Sequence, residues 1–266
     1  MEVWQIIVAL IQGLVEWLPI SSEGQAVLFV YNFGTVPADA LITLVVWLHL
    51  GTALAVIARY PRTILDILAL KDRDLFRLLL IATLCTAITA LPLYFVLKAS
   101  LTTFHGEIIN ILVGVLLLVT AFVLYLPTRN QHDSISDEEN PRLPSNKEAA
   151  VTGFVQGFSV LPGLSRSGVT VSALLIQKVD KETALRFSFL MSVPAVLGIL
   201  VVEFLTGGAV IPTISPLDLL VMEIIVFVTG LASIEILLRV ARKVSFWKLC
   251  LILAIVAILF GIPAIL

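Results

Sequence analysis

The stretch EWLPISSEGQ, residues 16–25, interrupts the first hydrophobic run of the chain with a proline, a glycine, two serines and two glutamates. The rest of the sequence is strongly apolar: 59% of the 266 residues are hydrophobic, 14% are charged, and the mean hydropathy is +1.06. This composition is typical of an integral membrane protein. Irregular backbone at membrane depth persists only where protein or a water-filled cavity satisfies its N–H and C=O groups. The stretch therefore predicts an interrupted helix that faces other parts of the protein.

Uninterrupted apolar runs that reach the roughly 20 residues needed to span a membrane occur at 38–58, 75–97, 107–126, 183–205, 216–238 and 246–265. Two further apolar stretches, 3–33 and 150–177, are each broken in the middle by polar sequence that contains Gly and Pro. Their halves are too short to cross alone, so each predicts a re-entrant helix–loop–helix segment. The predicted fold class is an all-α integral membrane protein with six transmembrane helices and two re-entrant segments.

The two broken stretches resemble each other. QGLVEWLPISSEG at 12–24 and QGFSVLPGLSRSG at 156–168 share Q-G, L-P, a serine and a final glycine when one gap is allowed on each side. Each is followed by three predicted spans, so the second copy must be inverted, and the two loops can meet. This inverted-topology repeat divides the chain into a first repeat at 1–126, a polar cytoplasmic linker at 127–147 and a second repeat at 148–266.

The distribution of basic residues predicts the orientation. In this topology one side of the membrane has Lys98 alone, and Arg166 lies in the second re-entrant loop. By the positive-inside rule the opposite side is cytoplasmic, which puts both termini and the opening of the first loop on the external face. That cytoplasmic side collects 15 of the 17 Lys and Arg residues: Arg59, Arg62, Lys71, Arg73, Arg77, Arg129, Arg142, Lys147, Lys178, Lys181, Arg186, Arg239, Arg242, Lys243 and Lys248.

Three ionisable residues, Glu16, Glu23 and Arg166, fall inside the broken segments. Such residues are costly at membrane depth and usually face a cavity or a partner. One interpretation is a structural ion pair that locks two loop tips. The other is an anion site, because each second half-helix directs its N-terminus at the centre and Arg166 adds a fork suited to phosphate oxygens. Serine hydroxyls then offer a nucleophile, and Glu16 a base or metal ligand. An apolar setting favours a lipid phosphate.

These motifs resemble a known family. QGLVEWLPISSEGQ is similar to the signature E-G-x-x-E-F-L-P-V-S-S-T-G-H, and PGLSRSGVT matches P-G-x-S-R-S-G-x-T, of the undecaprenyl-diphosphate phosphatases, or bacitracin-resistance proteins. LHLGTALAV at 48–56 and RFSFLMSVP at 186–194 extend the resemblance to essentially the whole chain. The resemblance implies an inverted repeat with two re-entrant regions. It also implies removal of the terminal phosphate of a polyprenyl diphosphate, with a divalent metal ion, at a bacterial-type cytoplasmic membrane.

The resemblance assigns roles to residues at matching positions. It makes Ser22 the nucleophile, Glu16 a base and metal ligand, and Arg166 the phosphate-binding arginine. Two glutamines depart from the pattern: Gln12 stands where a glutamate is usual, and Gln25 where the family has a histidine. The residues expected to bind substrate are Ser21, Gly24, Gln25, Ser165, Ser167, Gly168 and Thr170.

Two residues look like compensations for these departures. His49 stands where the family usually has glutamine, and Glu23 replaces a threonine. We therefore expect Ser22 to attack phosphorus and Glu16 or His49 to take its proton, with Mg²⁺ or Ca²⁺ held by Glu16 and Glu23. A metal-free mechanism stays open because of Gln12. So do a transporter or flippase, a non-catalytic binder of a phosphorylated polyprenyl lipid, and a homodimer. Nothing in the net charge of −2 indicates a nucleic-acid partner.

Overall fold

The computed structural model describes residues 1–101, 108–130, 142–207, 211, 213–240 and 245–261. Within these residues the chain is helical and carries one 3₁₀ turn at Gly157–Val160 between α7 and α8. The helices are α1 Val3–Val15, α2 Ser22–Phe33, α3 Ala38–Arg59, α4 Pro61–Leu68, α5 Arg73–Leu101, α6 Ile108–Asn130, α7 Asn146–Gln156, α8 Arg166–Ile176, α9 Lys181–Leu205, α10 Pro216–Val240 and α11 Phe246–Gly261.

Five of the described helices, α3, α5, α6, α9 and α10, are long and apolar enough to cross a membrane. The chain is therefore a multi-pass helical membrane protein. The sixth predicted span, 246–265, corresponds to α11, which has 16 residues in the described part. The number of six spans thus stays a prediction, as does the linker at 127–147, most of which lies outside the described residues. The short helix α4 was not predicted; Pro61 starts it because proline fits the first turn of a helix.

Each broken stretch forms a pair of short helices, as predicted. Helix α1 ends before Glu16 and α2 begins at Ser22, whereas α7 passes through the 3₁₀ turn before α8 begins at Arg166. Both second helices have a serine N-cap: Ser21 Oγ accepts the N–H of Gly24 at 3.1 Å, and Ser165 Oγ accepts that of Gly168 at 3.2 Å. The re-entrant course of these pairs in a membrane stays a prediction.

The helix pairs pack crosswise between the two halves. Helix α1 packs on α10, and α7 packs on α5. A Cβ atom on Gly13 would lie 1.9 Å from Thr229 Oγ1, and one on Gly157 would lie 1.7 Å from Thr89 Oγ1. The repeated Q-G pair therefore has the same use in both halves, because only glycine lets these helices approach so closely.

The two loops meet in the interior of the protein. The N–H of Gly163 donates to Ser21 Oγ at 3.1 Å, and Ser167 Oγ donates to the carbonyl oxygen of Leu18 at 3.2 Å. Gly163 has φ +113°, and a Cβ there would lie 2.6 Å from the carbonyl oxygen of Val113, so the position requires glycine. These contacts place the start of α2 beside the start of α8.

Candidate active site

Glu16 is the centre of the site. It caps the C-terminus of α1, and its side chain is 3% exposed. Its Oε1 accepts a hydrogen bond from Arg166 Nη2. Its Oε2 accepts from Ser22 Oγ at 2.5 Å and from Gln12 Nε2 at 2.8 Å. One buried carboxylate therefore joins a serine of the first loop to the arginine of the second.

Ser22 and Arg166 are the first residues of α2 and α8, and both line the same cavity. The N-terminal ends of both helices, with their unpaired N–H groups and positive partial charge, are thus directed at this cavity. Arg166 is partly buried, with a side-chain exposure of 13%, and its Nη1 lies 3.5 Å from the carbonyl oxygen of Ser188. Two helix ends and a guanidinium give the cavity the electrostatics of an anion site.

His49 reaches the cavity from α3. Its Nδ1 lies 2.7 Å from the carbonyl oxygen of Val45, so Nδ1 must carry a proton and donate it. Its Nε2 lies 3.5 Å from Glu16 Oε2. The ring thus lies beside the carboxylate of Glu16, on the side of the oxygen that also holds Ser22.

The structure brings together most of the predicted site residues. Gly24 and Gly168 do not line the cavity; their backbone N–H groups donate to the capping serines. Thr170 Oγ1 donates to the carbonyl oxygen of Arg166 at 2.8 Å and lies 2.7 Å from Ser188 Oγ. These residues, with Ser167, hold the two loops in place behind the cavity wall. The predicted residues that line the cavity are Glu16, Ser21, Ser22, Glu23, His49, Ser165 and Arg166.

Gln25 lies elsewhere. It lines an apolar groove between α2 and α11, together with residues such as Phe29 and Leu253. Its Nε2 lies 3.5 Å from the carbonyl oxygen of Ile20. Gln25 and His49 therefore face different spaces, and an exchange of glutamine and histidine between them moves the imidazole from the groove to the cavity.

Gln156 was missed as a site residue. It lines the cavity, is 2% exposed, and donates from Nε2 to Thr86 Oγ1 at 3.1 Å. Its Oε1 is buried and has no hydrogen-bond partner among the described residues. The sequence repeat could have indicated this residue, because Gln156 occupies the position in the second Q-G pair that Gln12 occupies in the first.

Glu16 and Glu23 are the two carboxylates of the cavity that could bind a metal ion. In the described part of the chain, no three His, Cys, Asp or Glu side chains are arranged to hold a metal ion. Both oxygens of Glu16 are already held by Arg166, Ser22 and Gln12. Glu23 lines the cavity and forms no ion pair or hydrogen bond with its side chain among the described residues. Mg²⁺ usually binds through one or two carboxylates plus substrate phosphates. Glu23 therefore fits the role of metal ligand better than Glu16 does.

The fold and the site define a class of protein: a helical membrane protein with an interior cavity in which a serine hydroxyl is held against a carboxylate. The chain belongs to the family described as bacitracin resistance protein BacA, whose model matches residues 5–259. This confirms the resemblance seen in the two motifs.

Several curated relatives are similar over nearly their full length. The undecaprenyl-diphosphatase of Methanothrix thermoacetophila is 38% identical over 254 residues, which cover 95% of this chain and 94% of the relative. That of Methanopyrus kandleri is 36% identical over 269 residues and covers 99% and 97%. That of Haloarcula marismortui is 36% identical over 267 residues and covers 97% and 96%.

Proposed function

We propose that this protein is a membrane phosphatase that hydrolyses a polyprenyl diphosphate of the undecaprenyl type to the monophosphate and inorganic phosphate. Family membership supports this function, and so does the name undecaprenyl-diphosphatase of its relatives. The observation that carries it is the contact of Ser22 and Arg166 with opposite oxygens of Glu16. This arrangement provides a nucleophile, a base and a phosphate ligand within one buried cavity.

In the proposed first step, Ser22 Oγ attacks the terminal phosphorus while its proton passes to Glu16 Oε2. The bond between this phosphorus and the bridging oxygen breaks, and the lipid monophosphate leaves with the electron pair of that bond. Arg166 and the N-terminal N–H groups of α2 and α8 stabilise the charge on the transferring phosphoryl oxygens. His49, held against Glu16, keeps the carboxylate oriented.

In the second step, water attacks the phosphorus of the phosphoserine, and the bond between this phosphorus and Ser22 Oγ breaks. Glu16 returns the proton that it took in the first step to Ser22 Oγ, and both hydrogen atoms of the water stay on the inorganic phosphate. The carboxylate and the hydroxyl of the resting state are thereby restored. The buried acceptor Gln156 Oε1 lies in the same cavity wall and suits a water molecule.

Glu23 is the residue that would hold the proposed divalent metal ion, Mg²⁺ or Ca²⁺. When bound, such an ion neutralises part of the charge on the phosphate oxygens. Glu16 is the weaker candidate as a ligand because its oxygens hold Arg166 and Ser22.

The proposed topology has six spans and two re-entrant pairs in an inverted repeat. The crosswise packing of α1 on α10 and α7 on α5 supports it, and the equivalent glycine contacts of Gly13 and Gly157 support it too. With the basic residues inside, both termini are external and the cavity opens to the outer face. A homodimer stays a prediction.

Purified protein in detergent, given undecaprenyl diphosphate with Mg²⁺, tests the function. We expect the wild type to release inorganic phosphate and the Ser22→Ala variant to lose this activity. Ser192→Ala is the matched control, since Ser192 is another buried serine, whose Oγ donates to the carbonyl oxygen of Phe189. A wild type that moves the lipid across liposomes without releasing phosphate would instead be a transporter.

A further inference from the structure

A buried ionic cluster lies outside the site described above. Glu203 of α9 is 0% exposed. Its Oε1 accepts hydrogen bonds from Tyr94 Oη and, at 3.1 Å, from Thr43 Oγ1, while its Oε2 lies 2.8 Å from Lys98 Nζ. Lys98 Nζ also donates to Tyr94 Oη at 3.1 Å. The cluster joins α3, α5 and α9, and the proposed chemistry does not use it.

The cluster lies one helical turn beyond the cavity. The cavity is lined by Val46, Ala90 and Ile199, which belong to these same three helices. Thr43, Tyr94 and Glu203 are three or four residues further along in the same direction, about 5 Å at 1.5 Å per residue. Lys98 is one turn further still.

The side chain of Lys98 is 29% exposed, so the polar column that starts at Glu203 reaches the surface. In the predicted topology, Lys98 is the one basic residue on the outer side of the membrane. Polar groups therefore lead from the rim of the cavity to the face where the product has to go.

Inorganic phosphate carries at least one negative charge near neutral pH and cannot leave through an apolar wall without a large desolvation cost. We propose that it leaves between α3, α5 and α9 and binds transiently to Lys98 on the way. This inference rests on the proposed phosphatase activity and adds a second phosphate site to it.

The chemistry of Lys98 suits a transit site. Its ammonium group has three N–H donors; among the described residues, two of them contact Glu203 and Tyr94, and the third can donate to a passing anion. Glu203 neutralises the charge, so phosphate binds weakly enough to go on, which a conducting site requires. Arg166, by contrast, is a rigid fork suited to tight binding in the cavity.

The test separates formation of phosphate from its release. Acid quenching measures all non-covalent inorganic phosphate, bound or free, whereas a fluorescent phosphate sensor measures only free phosphate. In Lys98→Gln we expect quenched phosphate to form at the wild-type rate in the first turnover, and free phosphate to lag behind it. Steady-state turnover should fall by about fivefold or more, because release then limits the rate.

Lys98→Gln also leaves the Glu203 carboxylate unpaired, so the double variant Lys98→Gln with Glu203→Gln keeps the proposal testable if the single variant unfolds. It removes both charges, and we expect the same lag of free phosphate. Wild-type turnover without a lag in the double variant would show that the cluster only holds the helices together. Lys71→Gln, an exposed lysine paired with Asp66, is the matched control and should show no lag. If the wild type formed no quenched phosphate at all, the phosphatase function itself would be wrong.

Discussion

Replacement of Glu16 by glutamine is the sharpest test of the site. The substitution keeps the size of the side chain and removes its charge. It takes away the acceptor of the Ser22 proton, which lies 2.5 Å from Ser22 Oγ, and the anionic partner of Arg166. An O–H···O⁻ contact of this length is charge-assisted, so an amide oxygen cannot replace it in strength or accept the proton.

Two magnitudes follow from these contacts. Loss of a general base lowers turnover by about 10² to 10⁴-fold. Loss of one partner from a fully buried ion pair lowers the free energy of unfolding by about 3–5 kcal/mol. Glu16 is buried and Arg166 is partly buried, at 3% and 13% side-chain exposure, so this is the upper value for the pair. A bound oxyanion supplies Arg166 with a new partner. We therefore expect orthovanadate to raise the melting temperature of Glu16→Gln more than that of the wild type.

The assay combines phosphate release with thermal unfolding, with and without orthovanadate. Asp74→Asn is the matched control, because it removes the carboxylate partner of an exposed arginine, Arg77, and touches neither Ser22 nor Arg166. Turnover of Glu16→Gln within about threefold of the wild type, far less than loss of a base implies, would refute the role of Glu16. In that case the contact with Ser22 would be structural.

Other substitutions test the remaining parts of the site and the topology. Arg166→Lys should lower turnover by about 10² to 10³-fold, since a point charge cannot replace the fork; near-normal rates for Arg166→Ala would make it a structural ion pair. His49→Gln should cost at least about tenfold in turnover, because Glu16 loses the side chain that orients it; an effect within about threefold, the scale of one interhelical hydrogen bond, would exclude this orienting role. A chelator should stop phosphate release, and Glu23→Gln should raise the Mg²⁺ concentration needed to restore it; activity indifferent to both would remove the metal from the mechanism. A cysteine at Ser136, outside the described residues, should escape impermeant reagents in intact cells, and its labelling would reverse the orientation.

Much of the fold follows from the sequence because long apolar runs have few alternatives in a membrane. The predicted run 75–97 is the centre of α5, and 183–205 is nearly all of α9. The ends of the helices could not be predicted from the sequence. Helix α5 starts at Arg73 and continues past Lys98, because polar residues near a membrane surface can extend a helix at little cost. The Q-G repeat indicated the two loops, but the sequence did not indicate that the first helix of each pair packs against a helix of the other half.

The site was predictable where a residue is costly in its setting. Glu16 and Arg166 stand out because a charge at membrane depth needs a reason, and the structure pairs them. The direction of uncharged side chains was not predictable. Gln25 and Gln156 are both glutamines of the broken segments, yet Gln25 faces the groove and Gln156 the cavity. Only the rotation of each helix about its axis decides between these directions, and the packing of neighbouring helices sets that rotation.

The two similar halves of the chain contribute to the site in an unequal way. Ser22 follows the capping Ser21, and Arg166 follows the capping Ser165, so the two residues occupy equivalent positions in the two halves. Two serines there would lack a cation, and two arginines would lack a nucleophile. Transfer of a phosphoryl group needs both: a nucleophile in line with the leaving oxygen and a cation beside the oxygens of the transferred group. The base is likewise present in one half only. Glu16 lies four residues after Gln12, and the residue four positions after Gln156 is Val160, which cannot accept a proton. In the proposed mechanism the first half therefore supplies the reacting groups and the second half the charge that holds the phosphate, and neither half forms the site alone.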